Sequence, residues 1–348
     1  MQSKRIGKQT VFFENPPVVC SNATIVGDVE NQGPLCCAFD MVLEDDTWGE
    51  KSWEKAESKM FEQAVRIALQ KIDRTTDDIE CLLGGDLLNQ LITANYAARN
   101  LKIPFFGLYG ACSTMTESLL IGSMLVDGGF ARNVACVASS HFATAERQFR
   151  LPLEMGGQTV PTAQRTVTGA GCTIICAPDD ALVKNATVRG IRIMGGTIGK
   201  VNDLGIKDAN NMGAAMAPAA AHTICRHLED TGRSTDDYDL IVTGDLGKFG
   251  SQLLHDLCLE HSVDITGKHA DCGMIIFSPE QKVDCGGSGC GCSAVVLNAH
   301  YLRRLEEGNY RRILFLSTGA LMSPSSSLQG ESIPGIAHAI ILERSQML

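Results

Sequence analysis

An α/β fold built from two copies of one unit is encoded in these 348 residues, and three observations carry that reading. The first is an ungapped internal match. Arg74-Thr75-Thr76-Asp77-Asp78 through Gly85-Asp86-Leu87-Leu88 aligns with Arg233-Ser234-Thr235-Asp236-Asp237 through Gly244-Asp245-Leu246-Gly247, identical at seven of fifteen positions. Identity that dense within one chain marks a duplicated folding unit. The second observation is order: Ala23–Gly27 matches Ala186–Gly190 upstream of the pair, and Gly169–Ile175 resembles Gly335–Ile341 downstream. The third is period. Cys81–Leu83 and Leu240–Val242 are short apolar runs of the kind buried on both faces, and stretches of helical period separate them from the next strands. Such strands alternating with helices give parallel sheets packed between helical layers.

Taken in order, the first 20 residues read as a strand plus an arm. Lys51–Ile72 sets Trp53, Ala56, Met60, Ala64, Ile67 and Ala68 on one helical face. A helix near Asn89–Asn100, a strand over Phe105–Leu108 and a turn around Cys112 follow. Next come a helix over Ser113–Asp127, closed by Gly128-Gly129, and a strand over Val134–Ala138. In the second copy the periodicity predicts a helix from about Ala214 to Leu228, with Pro218 tolerated near its start. It also predicts a helix over Ser251–His261, a strand over Met274–Phe277, a glycine-rich turn at Gly286–Gly291, a helix over Ser293–Glu307 and a strand over Ile313–Ser317. Polar residues at Lys184-Asn185 separate the copies, which assigns 1–184 to the first half and 185–348 to the second.

Composition bounds the function. With 44% hydrophobic and 20% charged residues the chain is of ordinary globular type, and it lacks the roughly 18 consecutive apolar residues of a membrane-spanning helix. Lys4, Arg5 and Lys8 have no apolar stretch behind them, so no signal peptide is expected and a reducing interior is. A net charge of −10 disfavours nucleic acid and bare anionic membrane as partners, so an anionic ligand would need a local positive pocket. The fourteen cysteines lack the spacing of a secreted scaffold and read mostly as small buried hydrophobes.

One cysteine invites chemistry. Cys112 sits between a strand with a Gly-Ala turn and a helix beginning at Ser113, where the helix dipole and free N–H groups would favour a thiolate. A base would have to come from the other copy. Lys268-His269-Ala270-Asp271-Cys272 packs a cation, a base, a carboxylate and a thiol together, so His269 oriented by Asp271 is expected to face Cys112 across a shared cavity. His338 reads as a hydrogen-bonded core residue, and His141 as a weaker site candidate. Cys285, Cys290 and Cys292 fall within eight residues but lack a Cys-x-x-Cys frame, so the glycines there suit a tight turn near a ligand and no metal is assigned. There is no Gly-x-x-x-x-Gly-Lys phosphate loop and no Gly-x-Ser-x-Gly elbow.

The duplication, Gly110-Ala111-Cys112-Ser113 at a helix start and Thr168-Gly169-Ala170-Gly171 before a closing strand resemble the thiolase and 3-oxoacyl synthase superfamily. That resemblance implies a five-layer αβαβα body of two pseudo-twofold halves, and a homodimer. More closely, Phe13-Glu14-Asn15-Pro16, Met216–Ala221, Lys268–Gly273, Gly286–Cys290 and Glu331-Ser332-Ile333-Pro334 resemble a sporulation branch of the superfamily. The branch implies binding of dipicolinic acid, alone or with calcium, and a part in its uptake into the developing spore. It also implies peripheral attachment to the inner spore membrane through other membrane proteins of the same sporulation operon. The projected pocket comprises Cys112, Ser113, Thr114, Arg147, Lys268, His269, Asp271, Cys272, Gly289 and Cys290. Free N–H groups of Ser113 and Thr114 would take one carboxylate, with protonated His269, Lys268 or Arg147 for the other. Asp271 would oppose a bare dianion but could share calcium with it. Active relatives differ: Asp245 stands where chain-initiating synthases carry histidine, and Gly289-Cys290-Gly291 stands where thiolases carry Gly-His-Pro. The centre Cys112, His269 and Asp271 therefore reads as vestigial and the chain as a non-catalytic binding protein. The alternative is an acyl-transfer enzyme with Cys112 as nucleophile.

Overall fold

The repeated stretch folds the same way twice in the computed structural model, which describes residues 4–149 and 160–345. Thr75 and Ser234 each close a short 3-10 turn through a reciprocal capping box with Asp78 and Asp237, and each turn feeds a parallel strand. The first half contributes β1 (Val18–Val26), β2 (Cys81–Gly85), β3 (Phe105–Gly107), β4 (Asn133–Ser140) and β5 (Gly169–Cys176). The second contributes β6 (Ile191–Thr197), β7 (Leu240–Thr243), β8 (His269–Asp271), β9 (Arg312–Ala320) and β10 (Gly335–Arg344). Across the sheet the order is β8-β7-β9-β10-β6-β1-β5-β4-β2-β3, so the two halves read 1-5-4-2-3 and 6-10-9-7-8 outward from their junction at Arg192↔Val18. Registers repeat as well. Leu82 pairs in parallel with Ala135 and Phe105, as Ile241 does with Leu314 and His269. The closing strands β5 and β10 run antiparallel to both neighbours.

Helices complete five layers. On the outer face of the first half lie α1 (Trp53–Gln70) and α2 (Ile92–Leu101), burying Met60, Phe61, Ala64 and Ala97 against Leu82 and Val137. The outer face of the second half is covered by α5 (Met212–Thr231) and α6 (Gly247–Glu260), with Met216, Ala220 and Leu254 over Leu314 and Ile341. Between the half-sheets run α3 (Thr114–Asp127) and α8 (Cys290–Val296), whose Met115, Leu119 and Val295 share a core with Cys136, Ile175 and Phe315. Two short helices, α4 (Phe142–Phe149) and α7 (Cys272–Ile276), flank them. At Gly171 a Cβ would lie 2.5 Å from the backbone of Ala294, so β5 and α8 touch main chain to main chain and fix the start of α8.

Local boundaries depart from the sequence reading in the second half. Met274–Phe277 is not a strand: the strand is the preceding His269–Asp271, and the apolar run winds into α7, exposing Met274 and burying Ile276. A four-residue apolar run carries no period that separates the two states, and the short edge strand left it free to turn. The helix expected from Ser293 begins at Cys290 and passes through a wide turn at Leu297–Tyr301 before resuming over Leu302–Glu306. The helix expected from Ser251 begins at Gly247 because Asp271 accepts the Leu246 and Gly247 N–H groups from outside it. Nine of the twelve free cysteines are buried, in line with their reading as small hydrophobes. Cys20 and Cys176, on neighbouring strands, are instead joined as a disulfide with Cα atoms 6.6 Å apart.

Candidate functional site

Backbone geometry singles out Cys112. Ala111 is held at φ 49°, a left-handed conformation that a non-glycine residue adopts at a cost of about 1–3 kcal/mol. The turn compensates through its own hydroxyls: Ser113 Oγ donates to Gly110 O at 2.7 Å and Thr114 Oγ1 to Ala111 O at 2.7 Å. The result sets Cys112 at the entrance of α3, on the wall of a small pocket open to solvent. Leu87, Phe149, Met212 and Met322 give the pocket apolar sides, and Tyr109, Glu146, Thr166 and Ser288 give it polar ones. No Arg, Lys or His is among the described residues that line it.

The partner of Cys112 is Asp245. The thiol donates to this buried carboxyl, which also accepts Thr318 Oγ1 at 2.7 Å, Ser288 Oγ at 3.0 Å and Gly289 N at 3.0 Å. Burial is the first cause that pushes the Cys112 thiol well above its ordinary range, and the Asp245 charge adds to it. Burial likewise raises Asp245. The thiolate expected from the helix start is therefore not formed. Nor are the helix-start donors free: Ser113 N–H donates to Gly110 O at 3.0 Å and Thr114 N–H to Ala111 O at 3.2 Å. A pseudo-equivalent pair lies close by. Cys290 heads α8 as Cys112 heads α3, with Asp86, the repeat equivalent of Asp245, raising it electrostatically after burial; its Sγ reaches Ala111 O at 3.0 Å. Gly289, at φ 102°, admits no Cβ because one would meet Ser140 Oγ at 2.7 Å.

The second-half motif is organised differently from its expected role. His269 does not line the pocket: its Nε2 meets Thr243 Oγ1 at 2.8 Å and its Nδ1 meets His255 Nε2 at 3.0 Å. Thr243 Oγ1 donates to Asp271 Oδ2 at 2.6 Å, so its oxygen accepts from His269 Nε2. Burial, then the His255 charge, depresses His269 to about 3, which leaves it neutral and unable to balance an anion. Asp271, raised to about 6 chiefly by burial, holds the Leu246 and Gly247 N–H groups at 2.9 and 3.0 Å. It is a positioning residue for the turn that carries Asp245. Lys268 turns away to Asp236 at 2.8 Å, and Arg147 pairs with Glu54 and lies 5.5 Å over Trp53. Cys272 is fully buried behind the site. His338 is a core residue accepting Gly199 N–H at 3.0 Å, as read from sequence, and His141 is buried against Asp46 O at 2.7 Å. Among the described residues no group of three or more His, Cys, Asp or Glu is placed to hold a metal.

Tyr109, Glu146, Thr166, Asp245 and Ser288 are among the site residues that sequence reasoning missed. For Asp245 the signal was present in the internal match, since Gly85-Asp86-Leu87 and Gly244-Asp245-Leu246 end equivalent strands. The family model for stage V sporulation protein AD (SpoVAD) matches residues 7–343. The chain belongs to the SpoVAD family. It is 50% identical over 342 residues to stage V sporulation protein AD of Bacillus subtilis (strain 168), covering 98% of both chains. Solved structures share its fold at low identity. Human mitochondrial 3-ketoacyl-CoA thiolase in complex with CoA superposes with a TM-score of 0.62 at 14% identity, over 98% of this chain and 100% of that one. An OleA variant from Xanthomonas campestris gives 0.60 at 15% identity over 97% and 100%. This SpoVAD-family chain thus has a thiolase-like fold.

Proposed function

We propose that this SpoVAD-family protein binds dipicolinic acid in the Cys112 pocket, takes part in its uptake into the developing spore, and performs no acyl transfer. The observation that carries the non-catalytic reading is the Cys112–Asp245 contact. A nucleophilic thiol needs a base or a cation beside it, and here it has a buried carboxyl. The pocket supports a small planar guest: apolar walls for a ring, and the hydroxyl of Tyr109 for a carboxyl group. The described lining holds no Arg, Lys or His, which favours a dicarboxylate already neutralised as its calcium chelate over a bare dianion. Calorimetric titration of the full chain with dipicolinate, with and without calcium, tests this. Binding that tightens with calcium and vanishes in Cys112→Trp is the expected result; no heat in either titration overturns the reading.

The acyl-transfer alternative rests on Cys112 lining an open pocket at a helix start. Mass spectrometry after incubation with acyl-CoA panels separates the two, since the binding reading requires that no acyl adduct form on Cys112. We further propose that the protein sits peripherally at the inner spore membrane through membrane proteins of its operon; no helix among the described residues is long and apolar enough to cross a membrane. It also forms a homodimer through the β3 edge, where Phe106 is 60% exposed and Tyr109, three residues on, is 43% exposed.

A further inference from the structure

Away from the pocket, the two outer helices of the second half bring a pair of thiols together. Cys225 on α5 and Cys258 on α6 pack into the same second-half core, close enough for each thiol to shift the other. The helices that carry them are locked side by side, since a Cβ on Gly250 would fall 2.8 Å from the Cα of Gly213. The two sulfurs differ in access. Cys258 is fully buried in the second-half core, whereas Cys225 is half-buried and lines a surface cleft with Arg233, His261 and Val263. Cys225 is also the thiol whose ionisation is favoured, by Cys258 first and by Arg226 among the lesser causes. An accessible sulfur backed by a neighbouring buried one is the arrangement of an attacking and a resolving thiol.

We propose that Cys225 and Cys258 form a reversible, peroxide-driven disulfide that staples α5 to α6. The Cys225 thiolate attacks a hydroperoxide oxygen; an S–O bond forms, the O–O bond breaks, and the departing hydroxide takes up a proton to leave as water. Cys258 sulfur then attacks the sulfenic sulfur, forming the S–S bond and expelling hydroxide, which combines with the Cys258 proton as a second water. Two thiols are oxidised and one hydrogen peroxide is reduced. A reducing thiol returns both cysteines by exchange. The staple ties α5, whose first residue Met212 lines the pocket, to α6, which starts directly after Asp245 and Leu246.

The test uses the full folded chain with Cys36→Ser and Cys37→Ser, which removes the two exposed thiols. Hydrogen peroxide is added, the remaining accessible thiols are blocked with N-ethylmaleimide, and peptides are mapped by mass spectrometry. The expected result is a linked peptide pair containing Cys225 and Cys258, lighter by two hydrogens, with Cys225 alkylation lowered at least about tenfold and restored by dithiothreitol. The thermal midpoint should rise on oxidation and stay unchanged in Cys225→Ser, a substitution at a partly exposed position. Alkylation of Cys225 at an undiminished rate, or its oxidation to sulfinic acid with Cys258 still a thiol, overturns the proposal.

Discussion

A thiol at the first turn of a helix is ordinarily activated, and Cys112 is the reverse because two effects compete there. The dipole of α3 is worth about 0.3–1 kcal/mol to a thiolate and at most about 2. Desolvation of the buried sulfur opposes the same charge first, and the Asp245 carboxyl beside it adds to that opposition. Burial and Asp245 together therefore outweigh the dipole. Replacing it separates its electrostatic role from its packing role. Asp245→Asn should make Cys112 more reactive toward iodoacetamide while costing about 1–3 kcal/mol of stability, since an amide cannot accept from Ser288, Gly289 and Thr318 together. Alkylation kinetics read by mass spectrometry, beside urea denaturation, check both halves; an unchanged alkylation rate would remove Asp245 as the silencing group. Cys112 itself was legible, because a Gly-Ala-Cys-Ser turn between strand and helix is a local signal. Its partner lies in the other half, and neither Glu54 capturing Arg147 nor Asp236 capturing Lys268 follows from residue type.

Four elements of the first half meet at one carboxyl. Glu57 on α1 accepts Thr93 Oγ1 from α2 at 3.3 Å, Ser139 Oγ from β4 at 3.2 Å and Thr144 Oγ1 from α4 at 2.9 Å. Burial first, then the neighbouring Asp86 charge, raises Glu57 to about 8. An unfolded glutamate ionises near 4.3, about four units lower. Between those values the native state holds a proton the unfolded state has lost, so this contribution is complete at low pH and declines as pH rises through 8. The slope cannot exceed about 1.4 kcal/mol per pH unit. The depressed histidines His227, His269 and His338 act oppositely, but only below about 6.5. Urea unfolding between about pH 7 and 8 should therefore show stability falling in the wild type and flatter behaviour in Glu57→Gln; identical slopes would place the proton elsewhere. Packing of the same layers gives a second expectation. Gly171→Ala forces β5 and α8 apart by way of the Ala294 backbone and should cost about 3 kcal/mol or more, measured the same way. The long amphipathic α1 was readable from its period and the buried α3 from its Gly128-Gly129 stop, whereas Met274–Phe277 was not, because a run shorter than two helical turns satisfies both templates.

Duplication explains both how much of the molecule was readable and where the reading stopped. Matched anchors in the two copies predict matched strands, and the orders 1-5-4-2-3 and 6-10-9-7-8 follow from that repeat. What a repeat cannot convey is which side chains from the two halves turn toward each other. Facing first turns of α3 and α8 bring Cys112, Cys290 and Asp245 to one place, while His269 on the edge strand β8 is drawn aside by Thr243 and His255. The same sheet has a second edge, and the assembly we propose depends on it. On its outer side β3 has no pairing partner among the described residues, and Phe106 and Tyr109 stand 60% and 43% exposed there. Near Gly110, Glu117 Oε2 is buried without a hydrogen-bond partner among the described residues. An uncovered strand with aromatic side chains and a desolvated acceptor is a poor surface for a monomer, and a second copy pairing edge to edge would cover all three features. Light scattering at micromolar concentration should give twice the chain mass for the wild type and the single mass for Phe106→Lys, whose charge at the seam blocks strand pairing. The variant is expected to keep its thermal midpoint as a monomer to within the stability the interface contributes. A monomeric wild type, or a Phe106→Lys chain that remains a dimer, would move the interface away from this edge.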